Sequence, residues 1–280
     1  MRQDQGGAAE TLSSRIRRRY AEDPARALDI ADPVLALLLD HRSVRAYLPT
    51  PLAEGALETL VAAAQSAPTS SNVQAFSVVA VEDHARKERL AKLADNQRHI
   101  AAAPLLLLWV ADLARAEMIA RQEGRTLEGL DFTETFLLAT IDAAIAAQNA
   151  ATAAEALGLG TVFIGAFRNH PAEVAAEIGL PRRAYVVTGL VVGHPDPGVE
   201  TGVKPRLPQD AVLHRERYSI EGMAGAVARH DGHAVAFRKR HGLSPFTWTR
   251  ILCDRLATIE SLKGRHLLRP ILERMGFGFK

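Results

Sequence analysis

The chain has a single cysteine, Cys253, among 280 residues. A lone thiol excludes an intrachain disulfide and any metal site built on several cysteines, and it fits a reducing cytoplasm. Long hydrophobic runs are missing too. The longest, from Ala101 to Ala111, is interrupted by Pro104 and is too short to span a bilayer. The opening residues Met1 to Gly6 are polar, with no apolar run behind them, so a secretory signal is not expected. There is little surplus charge. A formal net charge of +2 argues against nucleic acid as the main partner. Internal repeats and low-complexity tracts are absent. A dinucleotide fingerprint is absent as well: the glycines Gly158 and Gly160 follow a predicted helix and precede a strand, the reverse of the order that motif needs.

What is there is the composition of a globular protein, 48% apolar and 24% charged, long enough for one large domain or two small ones. The most chemically loaded stretch is His41-Arg42-Ser43-Val44-Arg45. Guanidinium forks and a hydroxyl within five residues can grip phosphate oxygens or a carbonyl. A second basic cluster, Lys204-Pro205-Arg206, has matching chemistry far down the chain. If the fold unites the two they make a phosphate site; otherwise they are ordinary solvated charges.

Between them, apolar periodicity predicts alternating helices and strands. Pro33 starts a helix at the first-turn position proline tolerates. A second helix covers 53–66, with Leu57, Leu60, Val61 and Ala64 on one stripe. The polar loop Ser70-Ser71-Asn72-Val73-Gln74 turns the chain and offers hydroxyl, amide and backbone donors. A strand over 76–81, a helix over 84–93, a buried strand over 105–111 and a helix over 114–122 follow. Residues 133–157 form the longest predicted helix. It is apolar nearly all round, which marks it as central to the protein or as part of an oligomer interface, and Gly158 caps it. Strands at 161–164 and 185–193 bracket a short helix at 171–178. Residues 224–240 and 248–275 read as helices rich in cations. Residues 15–19, Arg-Ile-Arg-Arg-Arg, read as a solvated arm or a poorly packed helix. Interleaved elements of this kind predict an α+β or α/β sheet with helices on both faces.

Several of these pieces together resemble the nitroreductase family of FMN flavoproteins, closest to its oxygen-insensitive NADPH nitroreductases and NADPH-dependent flavin reductases. The resemblance is carried, over roughly residues 33–218, by His41 to Arg45, Ser70 to Gln74, Gln97 before His99, Gln148-Asn149, Glu155 to Gly160, Phe163-Ile164-Gly165, Arg168-Asn169 and Lys204 to Pro208. Asn72 follows the general family pattern, where the subgroup tends to carry an aromatic residue. Phe163 stands for a common tyrosine and Ala166 for a common glycine.

The resemblance implies an α+β fold with a central mixed sheet flanked by helices, and a homodimer with two FMN molecules at its interface. It implies a domain over 31–280, with a C-terminal helical extension, after an N-terminal arm of residues 1–30. It places Arg42, Ser43, Lys204 and Arg206 at the FMN phosphate, and His41 among the cofactor-binding residues. Arg45 falls at the flavin pyrimidine edge, and Gly165 falls where a backbone N–H meets flavin N5; these two are the catalytic candidates. Ser70, Ser71, Asn72, Gln97, Phe163, Ile164 and Ala166 complete the cofactor set. Arg240, with Arg238 in reserve, is the candidate for the NADPH 2′-phosphate. The implied enzyme is cytoplasmic, needs no metal, and binds neither nucleic acid nor membrane. It moves hydride from NADPH to FMN and then two electrons to nitroaromatics, quinones or flavins in ping-pong fashion. A specialised acceptor such as chromate, or a flavin-binding protein with little reductase activity, are the alternatives.

Overall fold

In the computed structural model, residues 10–23 and 30–280 are described; the opening Met1 to Gly6 segment lies outside them. In chain order the elements are α1 (Leu12–Tyr20), α2 (Pro33–Asp40), α3 (Ala56–Gln65), β1 (Phe76–Val81), α4 (His84–Leu93), α5 (His99–Ala102), β2 (Leu105–Asp112), α6 (Ala114–Gln122), α7 (Thr133–Ala156), β3 (Gly160–Ile164), α8 (Pro171–Glu177), β4 (Ala184–Gly193), α9 (Met223–Arg240), α10 (Trp248–Leu256) and α11 (Leu268–Arg274). They fall into two compact units. The first joins the described residues up to Arg42 with residues 200–258, and the second joins residues 43–199 with 259–280.

The second unit holds a four-stranded sheet in the order β1-β2-β4-β3. Its strand pairs are antiparallel. A single parallel bridge, Ser43 to Thr161, adds the chain of the basic pentapeptide to the β3 edge and makes the sheet mixed. β2 is apolar from Leu105 to Ala111 because both its faces are covered. Leu105, Leu107, Trp109 and Ala111 point into one core, and Leu106, Leu108 and Val110 into the other, as the two-residue period of a strand requires. β4 changes phase midway. Tyr185 and Val187 share a core with Leu190 and Val192, because the register shifts between Trp109 and Val110 and inserts an extra residue.

α7 covers the first core with a face of alanines, including Ala139, Ala143, Ala146, Ala150 and Ala154, all fully buried. Small side chains let its backbone approach the sheet closely. Among the described residues α7 alone is long and apolar enough to cross a bilayer; here its alanine face is core. Leu137 and Ile141 remain exposed on it, at 46% and 54%. Gly158, at φ +75°, ends α7 in the left-handed conformation, as a C′ glycine does.

The first unit contains α1, α2, α9 and α10. Residues 12–20 are not a solvated arm. Thr11 caps α1 by accepting the Ser14 N–H, and both Leu12 and Arg19 are buried. Asp32 caps α2 through the Leu35 N–H, with Pro33 in the first turn. The helical reading of 248–275 breaks in two. Lys263 at φ +51° and Gly264 at φ +82° turn the chain into the left-handed region, which a continuous helix cannot accommodate.

Candidate active site

In the first unit, α2 delivers His41 and Arg42 at its C-terminal end. The Arg42 guanidinium donates to Thr201 Oγ1 at 3.1 Å and to the Asp40 carbonyl at 3.4 Å. Lys204 and Arg206 are exposed while Pro205 between them is half-buried. Lys204, Arg206 and Arg238 line a cavity of about 890 Å³ whose walls include Leu207, Phe237 and Trp248. Its floor includes His230, 3% exposed, whose burial lowers its pKa. Arg42 lies on a second, polar cleft in the same unit, shared with Arg240, Thr201 and His241. Pro205 and Phe237 border both spaces. The unit therefore groups Lys204 and Arg206 with Arg238, and Arg42 with Arg240.

In the second unit, Ser43 makes an isolated bridge to Thr161 of β3. Val44 donates its N–H to the Thr161 carbonyl at 2.8 Å and is 3% exposed. A Cβ on Gly160 would lie 2.8 Å from Val44, so glycine is needed for this segment to dock. The Val44 carbonyl accepts the Tyr47 hydroxyl at 2.7 Å, and burial raises the Tyr47 pKa well above the usual phenol range. With Val44 anchored, Arg45 points outward and exposed. Burial first, and Arg45 second, hold the His99 imidazole below its ordinary pKa. His99 Nε2 is buried and has no hydrogen-bond partner among the described residues.

The loop bearing Ser70, Ser71 and Asn72 is strained. Ser71, Asn72 and Gln74 all have positive φ, between +49° and +55°, a conformation unfavourable to side chains larger than glycine. Asn72 Oδ1 accepts the Gln74 side-chain amide at 3.2 Å. The buried carboxylate of Asp142, 2% exposed, holds both ends of the loop by accepting the N–H groups of Ser70 and Ala75. Gln97 spends its amide donor on the Ala94 carbonyl at 2.9 Å, the end of α4.

β3 ends at Ile164, and Gly165 opens a single 3-10 turn. Ile164 and Ala166 are 1% and 7% exposed, so only their main chains can serve a ligand, whereas Phe163 is half-buried. A Cβ on Gly165 would sit 3.1 Å from the Arg168 guanidinium. The Gly165 carbonyl accepts Arg265 Nη2 at 3.0 Å, and Arg265 Nε donates to Asn169 Oδ1 at 2.7 Å. Asn169 donates on to Asp95, which Lys263 also contacts at 2.6 Å. That lysine, chiefly, holds the Asp95 carboxyl below its usual range.

Asp142, Arg265, Lys263 and Arg19 were missing from the sequence-derived set. Only Asp142 left a signal, as the lone acid in the middle of an apolar helix. Other motif residues serve the scaffold. Asn149 donates to the Ala63 carbonyl at 3.2 Å, and Glu155 accepts the Thr161 hydroxyl at 2.9 Å.

Residues 38–194 match the sequence model of the nitroreductase family, and residues 204–280 match that of the family's C-terminal domain. The FMN reductase [NAD(P)H] of Bacillus subtilis (strain 168) is 36% identical over 248 residues, 87% of this chain and 97% of that protein. The CR(VI) reductase of Pseudomonas sp. (strain G-1) is 33% identical over 249 residues, 88% of this chain and all of that one. The solved structure of B. megaterium NfrA2 superposes with a TM-score of 0.83 at 36% identity, covering 89% of this chain and 100% of that one.

Proposed function

The chain belongs to the nitroreductase family, and from that premise we propose that it is a cytoplasmic, homodimeric, FMN-dependent oxidoreductase. It takes hydride from NADPH in preference to NADH and passes two electrons to nitroaromatics, quinones or flavins. The observation that carries the reading is the backbone link through Arg19 between the chain entering Arg42 and the chain of Lys204 and Arg206, whose side chains line two adjoining spaces that share Pro205 and Phe237.

The residues suit FMN in three respects. Three cations match a near-dianionic phosphate, and each charge-assisted hydrogen bond to it contributes about 1.5–3 kcal/mol. Gly165 leaves its backbone uncovered where a Cβ would press on Arg168. The buried, unpartnered His99 Nε2 and the strained loop through Asn72 supply polar groups that a ligand with many acceptors can use.

Bound FMN supplies the two-electron carrier that accepts hydride. The protein supplies binding, orientation and field. Arg42, Lys204 and Arg206 hold the phosphate, with the Ser43 hydroxyl as a further donor. Arg45 would place a permanent positive charge near the flavin ring, a field that favours its reduced form. The Gly165 N–H would meet the reacting edge, and Arg265 holds the Gly165 turn through its carbonyl. Asn72 and Gln97 satisfy remaining polar atoms of the ring and ribityl chain. With donor and acceptor sharing one pocket in turn, the kinetics would be ping-pong.

The test is direct. Purified protein reconstituted with FMN should bleach on anaerobic mixing with NADPH and recover its colour with a nitroaromatic, a quinone or free flavin. Failure to retain flavin, or a bound flavin that NADPH does not reduce, would sink the proposal. Chromate belongs in the same panel, since one relative is named for that activity.

A further inference from the structure

Helix α1 precedes the first residue that the family model matches. Its last turn carries Arg17, Arg18 and Arg19, and of these Arg19 is buried, at 7% exposure. The Arg19 guanidinium donates to the carbonyls of Leu39 and His41, both at 2.6 Å, and to that of Lys204 at 3.3 Å. Its own carbonyl accepts the Arg206 N–H at 2.9 Å. One residue thus ties the chain entering Arg42 to the chain carrying Lys204 and Arg206.

The chemistry suits arginine in particular. The Leu39 and His41 carbonyls lie at the C-terminal end of α2, where acceptors lack intrahelical donors and the helix dipole favours a cation. A planar fork can reach several carbonyls at once, which an ammonium on a flexible stem does poorly. Arg15 and Arg18 both pair with Asp40, the last residue of α2, so α1 is fastened at the same end. Arg42, two residues on, is braced separately by Thr201.

We propose that Arg19 is a positioning residue, through which α1 holds the segments of Arg42, Lys204 and Arg206 as a preformed grip for the flavin phosphate. The proposal rests on the reading of those three cations as phosphate ligands. A grip ordered during folding loses little entropy when the anion arrives, whereas an unordered one loses more. Arg19 itself touches no ligand in this scheme.

Riboflavin, which has the same ring and no phosphate, separates this role from general support of the fold. Dissociation constants of FMN and riboflavin are to be measured on the full-length apoprotein, for wild type, Arg19→Ala and Arg19→Lys. In Arg19→Ala the FMN affinity should fall about tenfold while the riboflavin affinity moves by less than about twofold. Arg19→Lys should recover part of the loss. Equal loss of both flavins, or no loss of either, overturns the proposal. Wild-type protein that binds the two flavins equally overturns the phosphate reading beneath it, and does so before any variant is made. If Arg19→Ala does not fold, Arg19→Lys and Arg19→Gln carry the comparison, and an FMN-to-riboflavin ratio unchanged from wild type then counts against the role.

Discussion

Asp142 Oδ1, midway along α7, accepts the backbone N–H of Ser70 at 3.1 Å. Oδ2 of the same carboxylate accepts the N–H of Ala75 at 3.1 Å. Between those anchors lie three non-glycine residues with positive φ, each of which costs on the order of 1–3 kcal/mol. The strain persists because a buried anion over-determines the loop ends. Here a carboxylate positions the donors.

Asp142→Ala should therefore cost about 2–4 kcal/mol of stability, because one part-buried and one buried N–H group lose a charged partner. Asp142→Asn keeps one acceptor oxygen and should cost less. Denaturant unfolding measures both. If the loop serves the flavin, the Asn variant should also bind FMN and riboflavin more weakly by equal factors, the opposite of the pattern expected for Arg19. An Asp142→Ala protein as stable as wild type would show that the loop holds itself.

Much of this fold was legible beforehand. β1, α4 and α6 occupy the residues that periodicity assigned to them, because each is bounded by polar or left-handed residues. The phase change in β4 was hidden, since every residue around it is apolar and a bulge leaves no mark in such a run. The polar supports were hidden for a different reason. Arg19 sits in a run of like residues, and only the tertiary fold decides which of them is buried. Arg265 reaches Gly165 across 100 positions of sequence, and no local pattern encodes that.

The phosphate grip predicts a size of effect. Arg206→Ala should weaken FMN binding by about 1.5–3 kcal/mol, roughly tenfold to a hundredfold, the contribution of one charge-assisted contact. Its side chain is exposed, so stability should stay near wild type. Titrating apoprotein with FMN measures the first quantity and thermal unfolding the second. Unchanged affinity would mean that Arg206 serves the cavity it lines with Arg238 and not the phosphate.

Arg45 and His99 give a prediction in pH. Burial and Arg45 depress the His99 pKa, so the folded protein keeps this imidazole neutral where the unfolded chain takes up a proton. As pH falls below about 6.5 the unfolded state binds more protons and stability declines, until the folded group protonates too. His230, depressed chiefly by its own burial, contributes with the same sign. The denaturant midpoint should drop on acidification through that range, and His99→Gln should flatten the drop. Arg45→Ala removes the smaller cause, so the His99 resonance should titrate at higher pH while staying below its ordinary value. In the flavin-loaded protein the same variant should lower the midpoint potential, because a fixed cation favours the negatively charged reduced ring. A potential that does not move would transfer Arg45 to a binding role alone.

The proposed preference for NADPH is tested on α9. NADPH differs from NADH by a 2′-phosphate, so preference needs a cation that meets that group and little else. Arg238 is already engaged: its Nε donates to the Ser244 carbonyl and its guanidinium lies 5.8 Å over the Phe246 ring. Arg240 is exposed in the last turn of the helix and lines the polar cleft with Arg42. An exposed arginine meeting a phosphate should contribute about 1–2 kcal/mol, less than a buried contact would. That corresponds to roughly a five- to thirtyfold preference for NADPH, eroded by salt. In Arg240→Ala, kcat/KM for NADPH should fall by that factor while the value for NADH holds. Arg238→Ala should instead reduce both together, because it loosens the turn after α9. Loss of NADPH selectivity in the Arg238 variant alone would reverse the assignment, and a wild type indifferent to the two coenzymes would remove the 2′-phosphate site from α9 entirely.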